Sequence, residues 1–412
     1  MAGSSKQRPD TGTSRIRSQA AADMNRAQRN VTVLAACQAL LLTGNAILIA
    51  LSPLVGFELA ADKAYATLPV TTYVVATALS TVPASFWMKR VGRRVGFMSG
   101  AVIGVLAGAL SSYAIYAGDF LLFSAGTGLA GLYNAAGQYY RFAAVDVASG
   151  SFKSKAISFV LAGGIVGAFL GPGSAIWTRD IFPDHLFLGS YMSTMIFAFL
   201  AIGLLMLVDI PPPSEEERQS GGRSLATIAA QPVFLVAVLG GMIGYGVMNL
   251  VMTATPLAMT AHHHPFGDTA MVIQWHIVGM FAPAFFTGTL INRFGVLKIM
   301  LAGTLLMFAC VAVALSGFEF LYFWSSLVLL GLGWNFLFVG GTTLLTECYA
   351  PPEKAKVQAI NDFLVFGTVA AASLTSGTLL HLIGWHAVLY GALPFLALTG
   401  LASLWLLRHR SA

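Results

Sequence analysis

Charge is what this chain has least of. Only 10% of its 412 residues are Asp, Glu, Lys or Arg, against 57% hydrophobic, whereas a typical soluble domain has about 25% charged residues. So few charges cannot cover a water-facing surface, and most of the chain must face lipid. The mean hydropathy is +0.75. Cysteine is scarce as well. Cys37, Cys310 and Cys348 lie far apart, which excludes a secreted disulfide scaffold. There is no Walker-type phosphate loop, no Gly-x-Ser-x-Gly and no His-Glu-x-x-His, so ATP is not the energy source and an intramembrane hydrolase has no support. We expect no enzyme activity and no cofactor. His262, His263 and His264 adjoin, but successive residues of a helix cannot all point at one ion. A wet loop is the expectation there, and no metal.

The balance of the few charges is basic, with 23 Lys and Arg against 17 Asp and Glu for a net +6. They are spread over short loops and do not form one face, which argues against nucleic acid. Residues 1–30 hold Lys6, Arg8, Arg15, Arg17, Arg26 and Arg29 without an apolar core, and read as a disordered polar tail, not a cleaved signal.

A membrane helix needs about 20 mostly apolar residues. Twelve such spans can be read, at 31–54, 66–87, 95–116, 120–147, 156–177, 187–208, 231–257, 270–290, 297–316, 320–346, 358–381 and 385–407. The longest polar interval, 209–230, contains Pro211, Pro212, Pro213 and Glu215–Glu217. It reads as a linker between a six-helix bundle at 31–208 and another at 231–407, with a short tail at 408–412. Basic residues sort by side. The tail, Lys89–Arg94, Lys153 and Lys155, Arg218 and Arg223, Arg293 and Lys298, Lys354 and Lys356, and Arg408 and Arg410 share one side; Lys63 and Arg179 are alone on the other. Both termini are therefore expected in the cytoplasm. The halves repeat: Arg90 and Arg293 are 203 positions apart, Lys153 and Lys354 201. Duplicated bundles that rock about a midplane site are a common build of secondary transporters.

At Arg90-Val91-Gly92-Arg93-Arg94, echoed by Arg293-Phe294-Gly295, the sequence resembles the loop signature of the major facilitator superfamily (MFS). The resemblance covers about 31–407. It implies an all-α membrane protein of twelve transmembrane helices in two pseudo-symmetric six-helix bundles. It also implies gating by Lys89, Arg90, Arg93, Arg94 and Arg293, to which Asp362 is added as the charge that would compensate for a missing loop acid. The family's loop acid is Lys89 in the first copy and Asn292 in the second; its leading Gly is Ser85 and Gly288. Loss of the first-copy acid suggests a reversed latch, with Lys89 or Arg90 paired to Asp362. The alternative is that Asp362 only favours a helix N-terminus. In span 5, Gly167, Gly171 and Pro172 resemble part of a motif of drug antiporters. They equally read as a packing face with a bend.

Polar residues inside spans must face a cavity or another helix. Gln38 and Asn45 share a face of span 1; Asn134, Gln138 and Arg141 share one of span 4. Tyr245 and Asn249 lie on span 7, Trp334 and Asn335 on span 10. In the superfamily these four spans line the central cavity, which makes the eight residues other than Arg141 candidate ligand contacts. Arg141 reads as a structural partner of Asp146 or Glu347, with contact to a polar substrate edge as the alternative. No carboxylate lies in mid-span, and His276 is the remaining candidate proton site. Amides and aromatics with little charge suit a small neutral or amphipathic organic solute.

The span-5 motif favours proton-coupled efflux by an antiporter; the missing mid-span carboxylate favours an importer or facilitator of a vitamin-like or nucleoside-like solute. A membrane receptor without transport is the rival from another class, though it would not need the repeat. The expected partners are a small molecule, the lipid bilayer (a bacterial inner membrane) and possible coupling protons, with the chain a monomer.

Overall fold

The computed structural model describes residues 11–62, 65–66, 68–149, 152–212, 215 and 222–411. Residues 1–10 of the expected tail, Lys63 and most of the acidic linker stretch lie outside them. Among the described residues there is no strand. Span 1 is Thr11–Leu59, span 2 Leu68–Val91, span 3 Arg93–Ala117, span 5 Phe152–Thr178 and span 6 Leu188–Leu205. The second half begins with a short helix, Leu225–Ala229. Span 7 is then Pro232–Ala261, span 9 Val296–Leu315, span 10 Phe320–Leu345, span 11 Lys354–Leu382 and span 12 Trp385–Ser411. The chain is a twelve-span bundle of two pseudo-symmetric halves.

Two spans read as continuous are broken. Span 4 is Phe120–Gly137 followed by Tyr140–Val147, and span 8 is Phe266–Phe281 followed by Ala284–Phe294. The first break is a tightened turn: the Tyr139 N–H bonds back three residues to Ala136 (3.1 Å), and its hydroxyl donates to the Thr81 carbonyl of span 2 (2.7 Å). The second break is at Pro283, which has no N–H to give, and the two pieces meet at 41°. Nine described helices are long and apolar enough to cross a bilayer, ten with the bent pair. Span 2, which is rich in Thr and Ser, and the divided span 4 are the less apolar ones that complete the twelve.

Lipid dictates the pattern of burial. In span 2, Thr77, Thr81 and Ser85 are buried while Leu79 and Phe86 face outward. Steps of four in the first set and of seven in the second put each set on one side. The expected tail also differs: residues 11–30 continue the first helix. Its basic end is tied to the start of the linker, because Arg26 pairs with Asp209 (2.6 Å), and Asn30 exchanges two hydrogen bonds with the Asp209 backbone.

The repeat is visible in the backbone. Gly92 and Gly295, the glycines of the two Arg-x-Gly loops, have φ 87° and 90°. Each separates two helices by one residue in a conformation that a side chain would strain. The glycines of span 5 lie against span 1. A Cβ at Gly163, Gly167 or Gly171 would sit within 3.0 Å of Ala35, Leu42 or Ala46. These glycines let two helices approach closely, and that contact is what the structure gives the span-5 motif.

Candidate substrate site and the seams beneath it

The amides of spans 1 and 4 form a row. Asn45 Nδ2 donates to Asn134 Oδ1 (2.8 Å), and Gln138 Nε2 donates to the same oxygen (3.2 Å). Asn134 in turn donates to Thr77 (3.3 Å). Asn45 and Gln138 are half-buried, Asn134 buried. Gln38 is buried about two turns from Asn45, and among the described residues it makes no hydrogen bond with this row. Asn249 is half-buried and donates to the Val369 carbonyl of span 11 (3.2 Å).

The aromatic residues gather in the other bundle. Half-buried Tyr245 meets Trp334, Phe338 and Phe366 edge-on, with ring centroids 5.2, 5.4 and 5.8 Å away. Trp334 stacks on Phe338 at 5.0 Å. Such pairs contribute about 0.5–1.5 kcal/mol each beyond area burial. Phe338 and Phe366 were not singled out from the sequence. Phe338 is one helical turn past Trp334, and Phe366 one turn past Asp362, so stepping four residues from known candidates would have found both.

Row and cluster meet at Arg141. Its Nη1 donates to the backbone carbonyl (2.8 Å) and side-chain oxygen (3.1 Å) of Gln138. Its guanidinium carbon lies 4.8 Å from the Phe338 ring centre and 4.6 Å from that of Phe142. Its Nη2 donates to Asp362 of span 11 at 2.5 Å, with both side chains no more than 2% exposed. Asn361 donates to the same Asp362 oxygen (2.8 Å). This corrects two expectations. Asp362 is paired across the bundles, but with Arg141 and not with Lys89 or Arg90; Arg90 is exposed. Arg141 pairs with neither Asp146 nor Glu347. Asp146 is held by Arg93 (2.9 Å) and Lys354 (3.6 Å), and Glu347 by Arg410 (2.7 Å). The partner of Arg141 is 221 positions away, so no local spacing could name it.

Two other candidates are committed to packing. Asn335 is fully buried. It donates to the Met280 carbonyl (2.6 Å) and accepts from Thr287 (2.7 Å), on either side of the Pro283 break. Backbone groups freed inside a membrane must find a partner, and Asn335 supplies one. His276 is fully buried, and its Nδ1 bonds the Leu327 carbonyl (2.8 Å). The adjoining histidines His262 and His264 are not simply wet. His262 stacks on Phe318 at 3.8 Å, and His264 bonds the Phe318 carbonyl (2.7 Å).

Below the row the bundles close along two seams, both on the side that carries the basic loops. In the seam of spans 2 and 11, Ser85 donates to the Ala355 carbonyl (2.8 Å) and buried Arg93 donates to Gln358 (2.7 Å). Arg93, Asp146 and Lys354 form the ion cluster given above. Arg94 is exposed. In the seam of spans 5 and 8, Gly288 lies on the backbone of Ser154 and Lys155, where a Cβ would come within 2.6 Å. Ser154 donates to Asn292 (2.7 Å) and to the Gly288 carbonyl (3.3 Å). Arg293 is exposed, 5.2 Å from the Phe294 ring. At the linker, Arg223 grips Glu353 with both arms of its guanidinium (2.8 and 2.7 Å). That grip, aided by backbone N–H groups, holds the Glu353 carboxyl down at about 2.

Twelve spans, a twofold repeat and inter-bundle seams built on the Arg-x-Gly loops call for a comparison with known families. The family model for the Major Facilitator Superfamily matches residues 34–282 and 237–412. The chain belongs to the Major Facilitator Superfamily. The riboflavin transporter RfnT of Brucella anthropi is 43% identical over 378 residues, 91% of this chain and 95% of that protein. Among solved structures, FucP in its outward conformation superposes with a TM-score of 0.72 at 16% identity, covering 91% of this chain and 98% of that one. The proton:xylose symporter XylE bound to 6-bromo-6-deoxy-D-glucose gives 0.74 at 15%, covering 94% and 96%. At such identities these two show the fold alone. This MFS protein is a membrane transporter of a small molecule, not an enzyme.

Proposed function

We propose that this MFS protein carries riboflavin, or a vitamin with the same flat ring system and imide edge, into the cell by alternating access. The reading is carried by the meeting of an amide row with an aromatic cluster at Arg141, in a chain close to a riboflavin transporter over nearly its whole length. Aromatic walls stack on a planar heterocycle, and primary amides offer the donor–acceptor pairs that an imide edge matches. Few polar groups in a mostly apolar site are enough to fix such a ligand. Tyr245, Trp334, Asn45 and Gln138 are the contacts we assign.

Orientation follows from the basic loops. By the positive-inside bias their side is cytoplasmic, with both termini inside and the bundles divided near residues 209–230 in a bacterial inner membrane. The sealed side is then the inner one, which supports a conformer that receives its ligand from outside. The span-5 glycines, the one sign of efflux, are used against span 1.

Expression in a bacterium that cannot make riboflavin tests the reading. Growth on low external riboflavin and uptake of radiolabelled riboflavin should both appear, with competition by unlabelled flavin and none by uridine. Uridine competition would replace the vitamin by a nucleoside-like solute. Efflux from preloaded cells without uptake would reject the direction.

A further inference from the structure

The inter-bundle ion pair is held from both sides by neutral amides, and one of them also belongs to the candidate ligand site. Gln138 stands at the break of span 4. Its backbone carbonyl takes a hydrogen bond from Arg141 Nη1, as does its side-chain oxygen. Its amide nitrogen reaches the other way, to Asn134. The ion pair itself is single-toothed. Asp362 Oδ2 and Arg141 Nε are buried and have no hydrogen-bond partner among the described residues. A buried pair gains over its desolvation only with good geometry and with its remaining lone pairs and protons satisfied. Here Gln138 satisfies Arg141 Nη1 and Asn361 supports Asp362 Oδ1, while Nε and Oδ2 stay unmet, so the pair depends on these two amides.

We propose that Gln138 is a positioning residue that couples ligand binding to opening of the cytoplasmic seam, by moving its side-chain oxygen from Arg141 to the imide N–H of the ligand. This rests on the substrate reading above. An imide presents one N–H between two carbonyls. The Gln138 amide can face it with oxygen to N–H and nitrogen to carbonyl, and doing so withdraws one of the three hydrogen bonds that Arg141 makes. Arg141 then bonds only the Gln138 backbone and Asp362, and the bond across the bundles is the one that parting the bundles breaks. A ligand that does not reach Gln138 leaves the seam shut. The halves then do not exchange access without cargo.

The test uses the purified full-length protein with Ser85→Cys as reporter, since Ser85 is 1% exposed in the seam and the three native cysteines are buried. Alkylation of Cys at this position by a bulky maleimide reads seam opening, and quenching of flavin fluorescence reads binding. Without ligand, Asp362→Asn should raise alkylation at least fivefold; no rise would show that the pair does not hold the seam. With Gln138 intact, saturating riboflavin should raise alkylation at least fivefold. In Gln138→Met, which withdraws that oxygen permanently, alkylation without ligand should already be raised, and riboflavin should raise it by less than a further twofold while the Kd weakens by no more than tenfold. Gln138→Asn, whose amide is one carbon shorter, should behave like Met and covers the case in which Met disturbs folding. Gln138→Glu should lower the basal rate, because a charged partner holds Arg141 more firmly. A parent-like response in Gln138→Met or Gln138→Asn overturns the coupling. Binding lost by more than tenfold overturns it too, since Gln138 is then a plain ligand contact. No quenching in the parent is a different failure and rejects the riboflavin reading.

Discussion

The two seams that close this transporter occupy equivalent places in the repeat and use opposite means. Where spans 2 and 11 meet, Arg93, Asp146, Lys354, Arg141 and Asp362 make a charged lattice and Ser85 bonds a backbone carbonyl. Where spans 5 and 8 meet, Gly288 lies directly on the Ser154–Lys155 backbone, with one side-chain bond to Asn292. Ser85 and Gly288 are counterparts. One contributes a hydroxyl and the other contributes the absence of a side chain. The duplicated halves have diverged into an electrostatic seam and a steric one, and only the first touches the amide row.

The comparison can be broken most sharply at Arg141. Arg141→Met should leave Asp362 buried without a cationic partner, a loss of about 3–5 kcal/mol, read as a large fall in melting temperature with uptake abolished. Gly288→Val comes next. It should stop uptake at a smaller cost in stability, because the bundles can escape the clash by parting, and Ser154→Cys in that background should alkylate faster. Were Gly288→Val to unfold the protein as Arg141→Met does, the seams would not differ in kind. Asp146→Asn should reduce uptake several-fold, since Arg93 keeps Gln358. Arg293→Ala, at an exposed site, should change uptake by less than twofold and stability by about 0.5 kcal/mol or less.

The weakest effect concerns pH. Glu353 has its carboxyl held below the usual range by Arg223. Its contribution is therefore complete above the unfolded carboxylate value and is lost as pH falls toward about 2. Glu353→Gln should flatten the acid limb of thermal stability without altering uptake near neutral pH.

Much of this architecture is legible in the sequence because lipid is a demanding solvent. Apolar run lengths follow from the thickness of the bilayer, and the paired Arg-x-Gly loops are read from a family resemblance. Contacts between distant elements do not. Asp362 could be seen to need a partner, but the choice of Arg141 over Lys89 depends on how spans 4 and 11 cross. Hydropathy could not show the breaks at Gln138–Tyr139 and Ala282–Pro283, since a window as long as a bilayer is thick runs across both. Asn335 has the polarity of a ligand contact, and only the Pro283 break shows that Met280 claims it.

That interruption of span 8 divides its labour. Phe266–Phe281 docks mainly on span 10 and less on span 5, whereas Ala284–Phe294 docks mainly on span 5 across the divide between the halves. The inner piece is a lever of 11 residues with a proline pivot and an asparagine bearing. It can swing with the steric seam more than Phe266–Phe281, which is seated mainly on span 10, so a conformational cycle need not turn the whole domain as one rigid block.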